Sequence, residues 1–200
     1  YEKTLTADNF ELAGINYLIA VEPQEYEQYC NKLGSHRVLK LPFSNLGLGS
    51  YPARNFCWEH AKANGYKYHW LFDDNIQCFK KWIDGKRKTI LDINSALLFV
   101  EVNAKKTNVD ITGFFEPNFT VNVPKKTFRY QCHVYSAMLI KNDLPYRWRL
   151  KYNEDVDLCL QVLHNGGTTS QCYYYMADKV ATSQKMKGGN QTELYKGNDP

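Results

Sequence analysis

At 200 residues, with 44% hydrophobic and 14% aromatic side chains, the chain has enough apolar material to bury a core, which excludes a disordered polymer. Its formal charge of +4 is modest, and no apolar run approaches the roughly 18 residues of a membrane span. The opening YEKTLTADNF lacks the basic-then-apolar layout of a signal peptide, so a globular chain of the cytoplasm, without membrane contact, is expected.

Taken in chain order, GINYLIAV (14–21) reads as a short strand, followed by a helix over QEYEQYCNKLG with a glycine stop. HRVLKLPF reads as a second strand, YPARNFCWEHAKANG as a helix from near Pro52 to Gly65, and YKYHWLF as a third strand running into Asp73. Alternating strands and helices predict an α/β domain with a mixed, mostly parallel sheet flanked by helices on both faces. Further on, TILDINSALLFVEVNAKK has the spacing of an amphipathic helix and VDITGFF that of a strand. QCHVYSAMLIKN reads as a strand that could run antiparallel, NEDVDLCLQVLHNGG as a helix with an acidic first turn, and TTSQCYYYMA as a final strand. No repeat or linker interrupts the chain, so residues 1–200 read as one domain.

Six cysteines stand singly at 30, 57, 78, 132, 159 and 172, without CxxC spacing, and read as small buried hydrophobes in a reducing compartment. Basic residues come in groups, among them Lys80-Lys81, Lys86-Arg87-Lys88 and Lys125-Lys126. These suit a polyanionic partner or a solvated surface. The two sequons, at Asn118 and Asn190, are short enough to arise by chance.

The chemistry-bearing stretch is WLFDDNIQCF, where an apolar strand ends on Asp73-Asp74-Asn75. Adjacent carboxylates repel unless a cation sits between them, and Mg²⁺ or Mn²⁺ accepts such oxygens; a plain turn cap is the alternative. A second acidic group, Glu154, Asp155 and Asp157, crowds a helix start that Asn153 is placed to cap. Three carboxylates there exceed what a cap needs, and one facing a cleft can take a proton from an acceptor hydroxyl. Trp148, between Arg147 and Arg149, suits either stacking on a sugar or base or simple packing, and His133 reads as a core histidine.

In this order, VEP at the first strand's end, LPFSNLGLGSYPARNF, HWLFDDNI, YNEDVDLCLQVL and KMKGGN resemble the GT-A glycosyltransferases. The PARN and KMKGGN segments narrow the resemblance to the TET-associated glycosyltransferase family, over nearly the whole chain. That family includes the base J glucosyltransferase, phage enzymes acting on hydroxymethylpyrimidines in DNA, and the carboxy-terminal domain of a vertebrate oestrogen-receptor coactivator. The resemblance implies a single GT-A, Rossmann-like domain. Asp73, Asp74 and Asn75 match its metal-binding DxD-type element, with Asn in the third place, which leaves open whether Asn75 is a ligand. Asp155 matches the base of inverting enzymes, with Glu154 and Asp157 orienting it or the acceptor. Glu22 matches the region that contacts uridine, and Arg54 and Asn55 would support the base or diphosphate. In the tail, Lys185 and Lys187 would face the leaving diphosphate under a loop of Gly188, Gly189 and Asn190, or form a flexible basic terminus. Many GT-A enzymes place a metal-binding histidine near this end; this chain has none after His164.

The implied activity is a metal-dependent, inverting glycosyltransferase using Mn²⁺ or Mg²⁺ and a UDP-sugar, UDP-glucose favoured. Its acceptor would be the hydroxyl of 5-hydroxymethylcytosine or 5-hydroxymethyluracil in DNA. A protein Ser/Thr acceptor keeps the chemistry and changes the partner. A degenerate module that binds DNA or protein without turnover is the rival from another class. A nucleotidyltransferase also uses paired carboxylates, but no P-loop is present.

Overall fold

The computed structural model describes residues 4–119 and 125–180. An unpredicted helix, α1 (Leu5–Leu12), opens the chain and buries Phe10 against Phe72 and Phe79, with ring centroids 5.0 and 6.1 Å away. There follow β1 (Ile19–Val21), α2 (Tyr26–Leu33), β2 (Val38–Lys40), α3 (Tyr51–Ala63) and β3 (Tyr68–Phe72). The hairpin β4 (Ile76–Ile83) and β5 (Lys86–Ile90) comes next, then α4 (Ile93–Thr107), β6 (Ile111–Phe115), β7 (Phe128–Tyr130), β8 (Ala137–Lys141), α5 (Glu154–His164) and β9 (Thr169–Lys179). The result is mixed α/β, consistent with a single Rossmann-like domain.

The expected predominance of parallel pairing is corrected. Strand order in the main sheet is β3-β8-β6-β9-β4-β5, with β7 also on β9, and β1-β2 form a separate pair. Among the described residues only β1/β2 and β6/β9 are parallel; the other pairings are antiparallel. A long connection lets a strand enter the sheet in either direction, and of the paired strands only β4 and β5 are close enough in the chain for a tight turn to impose antiparallel pairing. Between β4 and β5 that turn is Asp84-Gly85, both at positive φ (51° and 72°), the backbone that matches strand twist. Residues Lys86 to Thr89 of the edge strand β5 are exposed, and their charges guard an open sheet edge against pairing with another chain.

The helices do cover both faces, as expected. Phe10 of α1 and Ala96, Val100 and Ala104 of α4 pack with Phe79, Phe114 and Leu139 on one side. Trp58 of α3 and Leu158, Cys159 and Val162 of α5 pack with Ile111, Met138 and Ile140 on the other. Alternation along β8 supplies both cores, Leu139 to one and Met138 and Ile140 to the other. Gly113 permits the close β6–β8 approach, because a Cβ there would lie 2.1 Å from the Ala137 carbonyl oxygen.

His69 on β3 is a half-buried titratable group in this frame. Its Nδ1–H donates to Asn142 Oδ1 at 2.5 Å, its ring lies 5.4 Å from that of Trp58, and its Nε2 is buried without a partner among the described residues. Burial pulls its pKa down from 6.5 to about 4, against the Asn142 hydrogen bond. The folded form thus resists protonation that the unfolded form accepts. Stability is full above about pH 6.5 and falls towards pH 4, by about 3 kcal/mol at 1.36 kcal/mol per pKa unit. Urea unfolding at pH 7 and pH 4.5 should show a smaller loss for His69→Gln than for the native chain; equal losses would exclude His69 as the source.

Candidate active site

Since β8 runs antiparallel to both β3 and β6, and β6 parallel to β9, strands β3, β6 and β9 point the same way. Their carboxyl ends therefore deliver Asp73, Glu116 and Lys179 to one sheet edge, where open α/β sheets bind ligands. The acidic turn is held there by its backbone. Asp73 N–H donates to the Ser136 carbonyl at 2.8 Å and Val180 N–H to the Asn75 carbonyl at 3.1 Å. Thr6 of α1 clamps the same turn from outside the sheet. Its hydroxyl donates to the Asp73 carbonyl at 2.5 Å and accepts from Ile76 N–H at 3.0 Å, and its own N–H donates to the Asp74 carbonyl at 3.2 Å.

Two resident cations answer the repulsion expected of paired aspartates. Arg54 Nη2 reaches Asp73 Oδ1 at 3.0 Å and Lys179 Nζ reaches Oδ2 at 2.7 Å. Lys179 also donates to the Ser136 hydroxyl at 3.2 Å. Asp74 has a side chain open to solvent, and among the described residues it makes no ion pair. The dense protein around it and the charge of Asp73 still hold its carboxyl above the ordinary value. Glu116 is likewise raised, by burial first, with Asp178 and Asp73 adding to the effect. The edge thus carries a compact field of alternating charge.

The acidic helix start is tied to this turn. The same Arg54 Nη2 lies 3.4 Å from Glu154 Oε1, which also accepts from the Ser50 hydroxyl at 2.8 Å. The Arg54 guanidinium stands 4.7 Å over the Trp148 ring, a cation–π seat that fixes it between the two acidic motifs. Asn153 does occupy the cap position, but it adopts φ 54° and makes no side-chain cap bond, correcting the expected cap. Asp155 turns instead to Val156 N–H, at 2.8 Å from Oδ1, and to His133 Nε2, at 3.2 Å from Oδ2. Burial works against its charge, yet the His133 hydrogen bond, the Val156 N–H and the Arg54 charge outweigh it. The Asp155 carboxyl ends below its ordinary range.

Not every expected residue joins this constellation. Asp157 is paired with Arg149 at 2.8 Å and accepts from Gln161, and so braces α5 to the preceding loop. Asn55 exchanges two hydrogen bonds with the Trp148 backbone, at 2.7 and 3.1 Å, latching that loop to α3. Glu22, at the end of β1, accepts the Asn45 N–H at 3.1 Å and holds the loop before α3. Trp148 is 1% exposed, so of its two readings packing holds. Arg147 pairs with Glu59 at 2.6 Å. Lys185, Lys187, Gly188, Gly189 and Asn190 lie outside the described residues.

His133 corrects the reading of a core histidine, since its side chain is 40% exposed and faces Asp155. Alternation in QCHVY carried that information, because Cys132 and Val134 are the buried pair and His133 takes the opposite face. Thr6, Ser136 and Lys179 were also missed, and nothing local marks them. The six cysteines are unpaired, with burial pushing Cys159 and Cys172 up to about 12. No helix among the described residues is long and apolar enough to cross a membrane.

A hard divalent cation needs oxygen donors, and the acidic turn offers them in Asp73, Asp74 and the Asn75 Oδ1, which is buried without a hydrogen-bond partner among the described residues. An orphaned amide oxygen beside two carboxylates suits such an ion. Among the described residues no group of three or more His, Cys, Asp or Glu side chains is arranged to hold a metal, so an ion here would draw remaining ligands from water or substrate.

An acidic strand end is thus joined through Arg54 to an acidic helix start, at the carboxyl edge of a Rossmann-like sheet. No curated protein matches the chain. The family model for TET-Associated Glycosyltransferase matches residues 1–189. The chain belongs to the TET-associated glycosyltransferase family and is a glycosyltransferase.

Proposed function

We propose that the enzyme transfers a hexose, glucose foremost, from a UDP-sugar to the hydroxyl of a 5-hydroxymethylpyrimidine in DNA, with inversion. The observation that supports this reading is the Arg54 bridge, which ties the acidic turn at Asp73 to the helix start at Glu154; in this reading the turn serves the diphosphate and the helix start the acceptor. Lys179 and Arg54 supply fixed positive charge where the donor's diphosphate would sit, and Asp155 supplies basicity at the acceptor hydroxyl. Glu154, anchored by Ser50 and Arg54, keeps the first turn of α5 in place. Asp73, Asp74 and Asn75 would hold Mn²⁺ or Mg²⁺, which when bound offsets charge on the departing diphosphate.

The acceptor class rests on the family resemblance, and the exposed Lys86-Arg87-Lys88 edge strand supports a phosphate-backbone partner. A base to be glycosylated must leave the stack, so flipped or single-stranded DNA is the substrate form. Six unpaired cysteines are in keeping with a reducing, intracellular setting.

The test is UDP release from a panel of UDP-sugars with Mn²⁺, with and without DNA containing hydroxymethylcytosine or hydroxymethyluracil. Release stimulated by the modified DNA, and weakening steeply with salt, is the expected result. Stimulation by Ser/Thr peptides instead would replace the acceptor. No release with any donor would overturn the UDP-sugar reading in favour of a binding module.

A further inference from the structure

Asp155 does not stand alone at the acceptor side. His133 Nε2 faces its Oδ2 at 3.2 Å, while Oδ1 is occupied by the Val156 N–H at 2.8 Å. A carboxylate only accepts, so the contact requires a hydrogen on Nε2. In a neutral imidazole that places the lone pair on Nδ1. Among the described residues no hydrogen bond reaches Nδ1, and the side chain is 40% exposed against 24% for Asp155. The nitrogen able to take a proton is therefore on the more open of the two side chains, with an ionised carboxylate behind it. The Tyr135 ring, 4.8 Å away by centroid, limits how the imidazole can turn.

We infer that His133 and Asp155 form a catalytic dyad, in which His133 Nδ1 receives the proton of the acceptor hydroxyl and Asp155 orients and charges the imidazole. In the step, the acceptor O–H breaks as its oxygen bonds to the sugar C1, and the C1–O bond to the diphosphate breaks. The proton resides on His133 as imidazolium, neutralised by Asp155, until solvent takes it. The products are the glycosylated acceptor, UDP and one proton. The inference rests on the proposed acceptor-side role of Asp155 and refines which atom meets the hydroxyl.

Other groups around the pair do not offer the same function. Arg54 of α3 places positive charge near Asp155, and Cys159 of α5 is buried with its pKa pushed up to about 12. Tyr135 is raised by burial and by Glu116, Tyr173 and Asp155, so it stays protonated. Glu154 is engaged by Ser50 and Arg54.

Two readouts test the dyad. Long-range ¹H–¹⁵N spectra of the native chain, with His133 identified by the signals missing in His133→Gln, should show the Nε2–H form at neutral pH, shifting towards the tautomer mixture of free imidazole in Asp155→Asn. An Nδ1–H form in the native chain overturns the dyad whether or not transfer is seen. For transfer to modified DNA, kcat should fall about 10²–10⁴-fold in His133→Gln with KM for the UDP-sugar unchanged. A His133→Gln enzyme that keeps its rate overturns it. Absence of transfer by the native chain overturns the proposed acceptor instead, and the tautomer readout then decides the dyad alone.

Discussion

Replacing Arg54 by alanine will destabilise the fold by about 2–3 kcal/mol and lower transfer by about 10²-fold. One nitrogen of this side chain lies 3.0 Å from Asp73 and 3.4 Å from Glu154, and all three side chains are at most 21% exposed. Removing the cation leaves two carboxylates poorly solvated and uncompensated. Breaking a fully buried pair this way costs about 3–5 kcal/mol, and the partial exposure here lowers that figure. The packing over Trp148, at 4.7 Å, is lost as well. Activity falls because the acidic turn and the α5 start then move independently, and misplacement by about 1 Å costs on the order of 10²-fold. Arg54→Lys keeps the charge but lacks the planar head that spans both acids and stacks on indole, so it should recover only part of either loss. Urea midpoints at constant m-value, set beside kcat/KM, measure both. Native-like stability in Arg54→Ala would show that the bridge carries no energy.

Asp155→Asn is expected to lower kcat by about 10²–10⁴-fold while leaving UDP-sugar binding intact. The substitution keeps the shape and removes the charge that His133 faces at 3.2 Å. Its stability effect has a defined sign. Because the folded carboxyl lies below its ordinary value, the stabilisation is present above the unfolded value of about 3.9 and is lost as pH falls through the folded one. The native and substituted chains should therefore differ in thermal midpoint at pH 7 and converge in strong acid. Measuring UDP-sugar affinity by calorimetry separates a chemical defect from a binding one; an unchanged kcat would remove Asp155 from the acceptor side.

Much of this architecture could be read along the chain. The apolar run YKYHWLF, the Pro52-to-Gly65 helix and the acidic start at Glu154 are local patterns, and the structure places elements there within a few residues. Both acidic motifs were visible for the same reason, because unusual charge density shows against its neighbours. The hairpin at Asp84-Gly85 is also marked in the sequence, by a dipeptide suited to positive φ. Alternation sets His133 on the face opposite Cys132 and Val134, against the burial that its apolar neighbours suggest.

Chain order and local periodicity were enough for the α/β class, the helices on two faces, and an acidic strand end and helix start as the chemical centre. They allowed an antiparallel strand within QCHVYSAMLIKN, as β8 is, but could not tell that it would insert between β3 and β6, because pairing between strands distant in the chain follows from total burial. Nor could they bring Lys179 to Asp73 across 106 residues, Ser50 to Glu154 across 104, or Thr6 to the acidic turn across 67. A single lysine, serine or threonine has no periodic signature. Its role arises only when folding removes water from a carboxylate or a backbone carbonyl and leaves that side chain to replace it.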